Sequence, residues 1–254
     1  YLSLGLAYQM TSELDRATSN YRKALRIKQA QFGKRSPNNI SALVNIASLL
    51  IEQGDIQQAQ SYLQEALAIQ LDSVAYIHPQ TALIYTNLGN CYAQQNQNKE
   101  AILQYESALD IYNHPLVQVD DKQVADAFQN LGNTYLSSGD YEQALLQFNQ
   151  SLSLHPSYDS IGVLKLLNST GLALWYKSST AAAINKFEQI IAQYPYEDDF
   201  LGAVFENLGS CLYDQELYKG AITFYEKALD IYDQNSSNAA SQNALSKIGD
   251  CYFR

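Results

Sequence analysis

Cysteine, histidine, tryptophan and basic residues are all scarce in this 254-residue sequence. Three cysteines make no disulfide framework, so the chain reads as one that keeps its thiols reduced. The three histidines, His78, His114 and His155, each precede a proline and stand about 40 residues apart, which is no metal-ligand spacing. They read as turn residues, or as helix caps bonded to the last carbonyls. No apolar run approaches the roughly 18 uncharged residues of a membrane helix, so no membrane insertion is expected. Lysine and arginine number 16 against 26 acidic residues, a net charge of −10. A surface of that sign repels phosphate backbones, which argues against nucleic acid as a partner. One local exception, Arg22, Lys23, Arg26, Lys28, Lys34 and Arg35, reads as a solvated helix face that suits an acidic partner.

Catalytic signatures are missing as well. There is no phosphate-cradling glycine loop, no Ser-His-Asp set and no supported Cys-His pair. Asp120-Asp121 and Glu197-Asp198-Asp199 fall between apolar-periodic segments and read as solvated charge at helix N-termini. No catalytic residue, metal or cofactor is expected, and the chain is read as a non-enzyme.

What the sequence has is repetition. Thr86–Tyr112, TNLGNCYAQQNQNKEAILQYESALDIY, returns 120 residues later as ENLGSCLYDQELYKGAITFYEKALDIY. A small residue preceded by an apolar one or a threonine stands at Gly5, Ala47, Gly89, Gly132, Gly171, Gly209 and Gly249, at spacings of 38 to 43 residues. Twelve residues after the first six come Ala17, Ala59, Ala101, Ala144, Ala183 and Ala221. Four further stand Tyr21, Leu63, Tyr105, Phe148, Phe187 and Tyr225. Repeats of this length that cannot bury an apolar face alone must stack. The units run approximately 1–39, 40–81, 82–124, 125–163, 164–201, 202–241 and 242–254, all within one array over 1–254.

Each unit reads as two helices. Ile84, Tyr85, Leu88 and Tyr92 keep helical spacing, and Ala101, Tyr105, Ala108, Leu109 and Tyr112 line one face of a second helix. Gly54-Asp55 and Gly139-Asp140 mark turns between helices, and Pro37, Pro79, Pro115, Pro156 and Pro195 mark loops between units. A glycine inside a helix costs about 1 kcal/mol relative to alanine, so it needs a reason. The expected one is close approach of the partner helix, with the large residue three positions on (Tyr8, Tyr92) filling the adjoining space. Cys91, Cys211 and Cys251 share one slot and read as small buried fillers.

The Leu-Gly, aromatic, Ala, aromatic and Pro pattern resembles the tetratricopeptide repeat. With units longer than the usual 34 residues, and with His78-Pro79 before Asn87-Leu88-Gly89, it is most similar to the kinesin light chain and nephrocystin-like branch. The resemblance implies an all-α fold, a right-handed superhelical solenoid of stacked antiparallel helix pairs whose first helices line a concave groove. Without visible polar caps at either end, the chain is expected to be part of a longer protein or assembly.

In that groove the residues before the Leu and after the Gly face a ligand, among them Val44, Asn45, Asn87, Asn90, Asn130, Asn133, Asn168 and Asn207. An amide offers both donor and acceptor, which matches the backbone of an extended peptide. Rows of amides on helices about 10 Å apart would clamp such a peptide, or would instead bond one another and order the stack. Trp175, Tyr176, Tyr213 and Leu136 are the candidate specificity pockets. Basic residues are too scattered for a carboxylate clamp. The leading reading is a scaffold or adaptor that binds a protein or peptide segment, in the cytoplasm or another reducing compartment. Open beside it are the regulatory arm of a larger enzyme or signalling protein and a structural subunit of an assembly.

Overall fold

The computed structural model describes residues 1–73, 76–155 and 160–254, so Pro156 lies outside the described residues. Every regular element among them is helical: α1 (Leu2–Met10), α2 (Leu14–Phe32), a 3-10 turn (Pro37–Asn39), α3 (Ile40–Glu52), α4 (Ile56–Ser73), α5 (Pro79–Gln94), α6 (Asn98–Tyr112), α7 (Asp121–Ser138), α8 (Tyr141–Leu154), α9 (Ser160–Tyr176), α10 (Thr180–Gln193), α11 (Asp199–Asp214), α12 (Tyr218–Gln234) and α13 (Asn238–Tyr252). The chain forms two compact units, Tyr1–Ser138 and Gly139–Arg254. In the first, the pairs α1–α2, α3–α4 and α5–α6 are hairpins, each second helix also packs on the next first helix, and α5 touches both α3 and α7. In the second, α9–α10 and α11–α12 are hairpins, α8 packs on α9, α12 packs on α13, and α9 touches α11. Each unit is thus all-α, with helix pairs stacked as in a solenoid.

Local chemistry sets the helix ends. The His78 Nδ1 accepts the Gln80 N–H at 3.0 Å while Pro79 opens α5. His78 therefore caps the start of the following helix rather than the last carbonyls of the preceding one, because a neutral imidazole nitrogen accepts as an aspartate does. Asp140 and Asp198 cap α8 and α11 in the usual way, accepting from Gln143 and Leu201 at 3.2 Å.

The turns inside hairpins are one motif. The seventh residue after the small slot has a left-handed backbone at Ser12, Gly54, Asn96, Gly139, Ser178 and Glu216, with φ between 56° and 85°. After Ser12, Gly54, Asn96, Ser178 and Glu216 the N–H of the next residue returns to the carbonyl five positions earlier, as in Asp55 to Leu50 at 2.8 Å and Leu217 to Leu212 at 3.0 Å. Glycine occupies this position in two copies only.

The small slot explains the packing. A Cβ on Gly89 would stand 2.5 Å from the Tyr105 ring, and one on Gly209 would stand 2.7 Å from Tyr225. Gly5 faces Tyr21 and Gly171 faces Phe187 in the same way. The filling ring therefore comes from the second helix, sixteen residues on, not from Tyr8 or Tyr92, which stay half-buried. Where the slot is alanine, at Ala47, the residue sixteen on is Leu63, and both are fully buried in one core. Gly249 has open space around it, so close approach does not account for that glycine. Tyr21, Leu43, Ile46, Leu63 and Ile84 belong to the core of the first unit. Leu164, Phe187, Ile190, Val204, Leu208 and Cys211 belong to that of the second. All three cysteines are buried free thiols.

Candidate functional site

Each unit holds a cavity on its first helices, and both are built from the same slots. In the first unit a cavity of about 260 Å³ is lined by Ile51, Asn90, Ala93, Gln94, Tyr105, Asn130 and Asn133, together with Thr134 and Ser137. In the second a cavity of about 280 Å³ is lined by Trp175, Ser210, Tyr213, Asp214, Tyr225, Lys247 and Asp250. Counted from the small residue, Ile51 and Trp175 both lie four after it on the preceding first helix. Asn90 and Ser210 lie one after it on the middle first helix, and Ala93 and Tyr213 four after. Asn130 and Lys247 lie two before it on the following first helix.

The hydrogen bonds repeat with the slots. The Tyr105 hydroxyl donates to Asn90 Oδ1 at 2.7 Å, and Asn130 Nδ2 donates to the same oxygen at 3.2 Å. In the second unit the Tyr225 hydroxyl and Lys247 Nζ both reach Ser210 Oγ at 3.2 Å. The ring that fills the glycine notch thus carries, at its far end, the hydroxyl that anchors the cavity floor. Burial holds both phenols neutral, pushing Tyr225 up to about 12 and Tyr105 further.

The candidate residues divide between these places. Asn90, Asn130 and Asn133 converge on the first cavity, with Asn133 exposed. Trp175 and Tyr213 converge on the second, where Trp175 Nε1 donates to Asp214 Oδ2 at 2.7 Å. Tyr176 does not line it; it is exposed, with its ring 5.6 Å from that of Tyr141 and stacked on Trp175 at 5.2 Å. Asn207 Nδ2 donates to Asn168 Oδ1 at 3.2 Å, a bond between α11 and α9 that lies in neither cavity. Asn45 and Asn87 are half-buried on α3 and α5 and line neither cavity. Val44, expected to face the groove, is only 4% exposed and packs in the core.

Sequence reasoning missed Gln94, Asp214, Asp250 and the two phenols, and set Lys247 aside with Lys165 and Arg254 as basic residues too scattered for a clamp. The repeat register held the signal, because Gln94 and Asp214, Asn130 and Lys247, Asn133 and Asp250, and the two phenols stand at matching offsets from their glycines. Lys247 is fixed by Glu206 Oε1 at 2.6 Å. Glu206 also accepts from Tyr232 at 3.1 Å and Asn243 at 2.5 Å. The basic cluster near the N-terminal end is partly satisfied by its neighbours. Arg22 donates to Gln58 at 2.7 Å, Lys28 to the Asn38 carbonyl at 2.6 Å, and Arg35 pairs with Asp72 at 2.6 Å. Among the described residues no group of three or more metal-binding side chains converges, and no helix is long and apolar enough to cross a membrane.

Stacked hairpins with first helices lining a cleft define the class of protein. Tetratricopeptide-repeat profiles match residues 1–72 and 75–114, 125–158, and 168–236. The chain is a tetratricopeptide-repeat protein. A search of curated proteins found no match. Among solved structures, the chain is similar to BtubC (BKLC) of P. vanneervenii, at 20% identity over 91% of this chain and 92% of that one, with a TM-score of 0.65. It is also similar to a Podosopora anserina protein assigned as a kinesin light chain with nearly identical TPR-like repeats, at 19% identity over 75% and 91%, TM-score 0.61. A third is YrrB, described as a TPR protein with an unusual peptide-binding site, at 19% identity over 88% and 98%, TM-score 0.58.

Proposed function

We propose that the chain is a non-catalytic interaction scaffold that holds an extended peptide segment against its first helices. The observation that carries this reading is one cavity built twice from equivalent slots, each floored by a buried phenol. Asn133 and Gln94 line the first cavity, and among the described residues Asn133 has no hydrogen bond that would keep its amide from a peptide backbone. Asn130 spends one donor on Asn90 and keeps a second donor and its carbonyl oxygen for a ligand. A site already ordered by its own hydrogen bonds loses little entropy on binding.

Within the repeat class, we place the chain nearest the kinesin light chain and nephrocystin-like branch. The 38- to 43-residue period and the His78-Pro79 cap support this, as does similarity to the repeats of the Podosopora anserina protein. Three cysteines, too few for a disulfide framework and each buried apart from the others, suit a reducing compartment such as the cytoplasm.

The test is selection of 12-residue peptides from a random displayed library on the immobilised chain. Their Kd is then measured against the wild type, Asn133→Ala, and Asn130→Ala with Asn133→Ala. A loss of tenfold or more, about 1.4 kcal/mol, with melting unchanged in Asn133→Ala, supports the reading. Unchanged affinity in both variants contradicts it.

A further inference from the structure

The two equivalent cavities differ in chemistry, and the difference points to a ligand class for one of them. The first cavity presents amides, hydroxyls and small apolar groups and carries no formal charge. In the second, Trp175 and Tyr213 replace Ile51 and Ala93, while Asp214 and Asp250 replace Gln94 and Asn133. Two aromatic walls and two carboxylates stand in slots that are neutral in the first cavity.

The one cation among the lining residues is already engaged. Lys247 is held by Glu206 at 2.6 Å, by Ser210 at 3.2 Å, and over the Tyr225 ring at 5.7 Å from its centroid. Its side chain is 32% exposed and that of Glu206 only 13%, so the two charges cancel at the floor of the cavity. Asp214 and Asp250 are exposed, and neither makes an ion pair within 4.0 Å among the described residues, although Asp250 acts electrostatically on Arg254 one turn on. Asp214 uses Oδ2 on the Trp175 indole and has a second oxygen to offer. A guanidinium already rests at the rim, with Arg254 Nε donating to the Tyr213 hydroxyl at 3.4 Å.

We infer that this second cavity is a specificity pocket for a basic side chain, arginine above all, carried by the bound peptide. The inference rests on the peptide-binding reading and adds the chemistry that selects the ligand. A guanidinium there stacks on aromatic faces, which attract cations through their ring quadrupoles, while its planar fork meets a carboxylate. An acidic side chain would instead meet two like charges and a lysine whose charge is spent on Glu206.

Trp175 is the single tryptophan of the chain, so its fluorescence reports on this cavity alone. The probe is the capped peptide acetyl-Gly-Asn-Gly-Arg-Gly-Asn-Gly-amide, with norleucine and glutamate versions as controls, titrated into the full chain. The expected result is a saturable change for the arginine peptide that is at least tenfold tighter than for either control. It should weaken at least tenfold in Asp214→Asn with Asp250→Asn and weaken further with added salt. The amide introduced by Asp214→Asn keeps an oxygen for the indole, and Asp250 makes no hydrogen bond among the described residues, so melting should not move. If the double variant does melt lower, Asp250→Asn alone is the test, with an expected loss of threefold or more. The inference is overturned by equal binding of arginine and norleucine peptides, by preference for glutamate, or by affinity indifferent to the carboxylates. A library-selected peptide that depends on Asn130 and Asn133 but shows no arginine preference overturns this inference and leaves the peptide-binding reading standing.

Discussion

Tyr105 donates its hydroxyl to Asn90 across the α5–α6 hairpin, with the oxygens 2.7 Å apart. One side chain therefore fills the Gly89 notch with its ring and fixes a cavity amide with its tip. Stability and binding geometry meet in that residue. Tyr105→Phe keeps the ring and removes the anchor. It should cost about 0.5–1.5 kcal/mol, the usual net worth of one hydrogen bond, read from the denaturant midpoint at unchanged slope.

The notch and its ring form a matched pair. Gly89→Ala forces a methyl against a ring that already occupies the space, and should destabilise by about 1–3 kcal/mol. The chain contains its own solution at Ala47 and Leu63, where a larger slot faces a smaller partner. Adding Tyr105→Leu to Gly89→Ala should therefore cost less than the sum of the two single changes. A double-mutant cycle with strictly additive costs would refute the pairing.

Glu216 holds a left-handed backbone at φ 63°, where an L-residue is disfavoured and glycine is not. Glu216→Gly should stabilise by about 0.5–1 kcal/mol. Gly54→Ala, at φ 82°, should destabilise by about 1–2 kcal/mol. Thermal melts of the two variants should shift in opposite directions.

Buried thiols and phenols make the fold sensitive to alkali. Burial raises Cys91 from 9.0 to about 11 and Tyr225 from 10.0 to about 12. For groups raised in the folded state, the unfolded chain loses its proton first. Their contribution is whole below about pH 9 and is lost as pH rises through the folded values. Melting midpoints should be flat from pH 7 to 8.5 and fall steadily between pH 9 and 12. At pH 8 the native thiols should react with a disulfide reagent only as fast as the fold opens.

The period, the two-helix unit and the small slots were legible because each is a one-dimensional pattern. The partner of each small residue was not. Tyr92 lies three after Gly89 on the same helix, and helical spacing alone makes it a natural filler. Only the antiparallel return of α6 shows that Tyr105 stands opposite the missing Cβ. The amides followed the same logic. Asn130 and Asn133 were identifiable from their offsets, yet the cavity they line needs Ile51 from one helix before and Gln94 from the helix between. Trp175 and Tyr176 looked like one feature, but adjacent residues on a helix point about 100° apart, and only Trp175 lines the cavity. His78 misled for a different reason. The side chain that caps α5 is an imidazole, so the usual serine, threonine or aspartate signal was missing.

Backbone amide chemical-shift mapping with a library-selected peptide tests the central claim most directly. The account predicts that saturating shifts cluster on Asn90, Asn130 and Asn133, or on Trp175, Ser210 and Tyr213, and fade along the second helices. Shifts confined to the exposed faces of α4, α6 or α12, with the first helices silent, would contradict it.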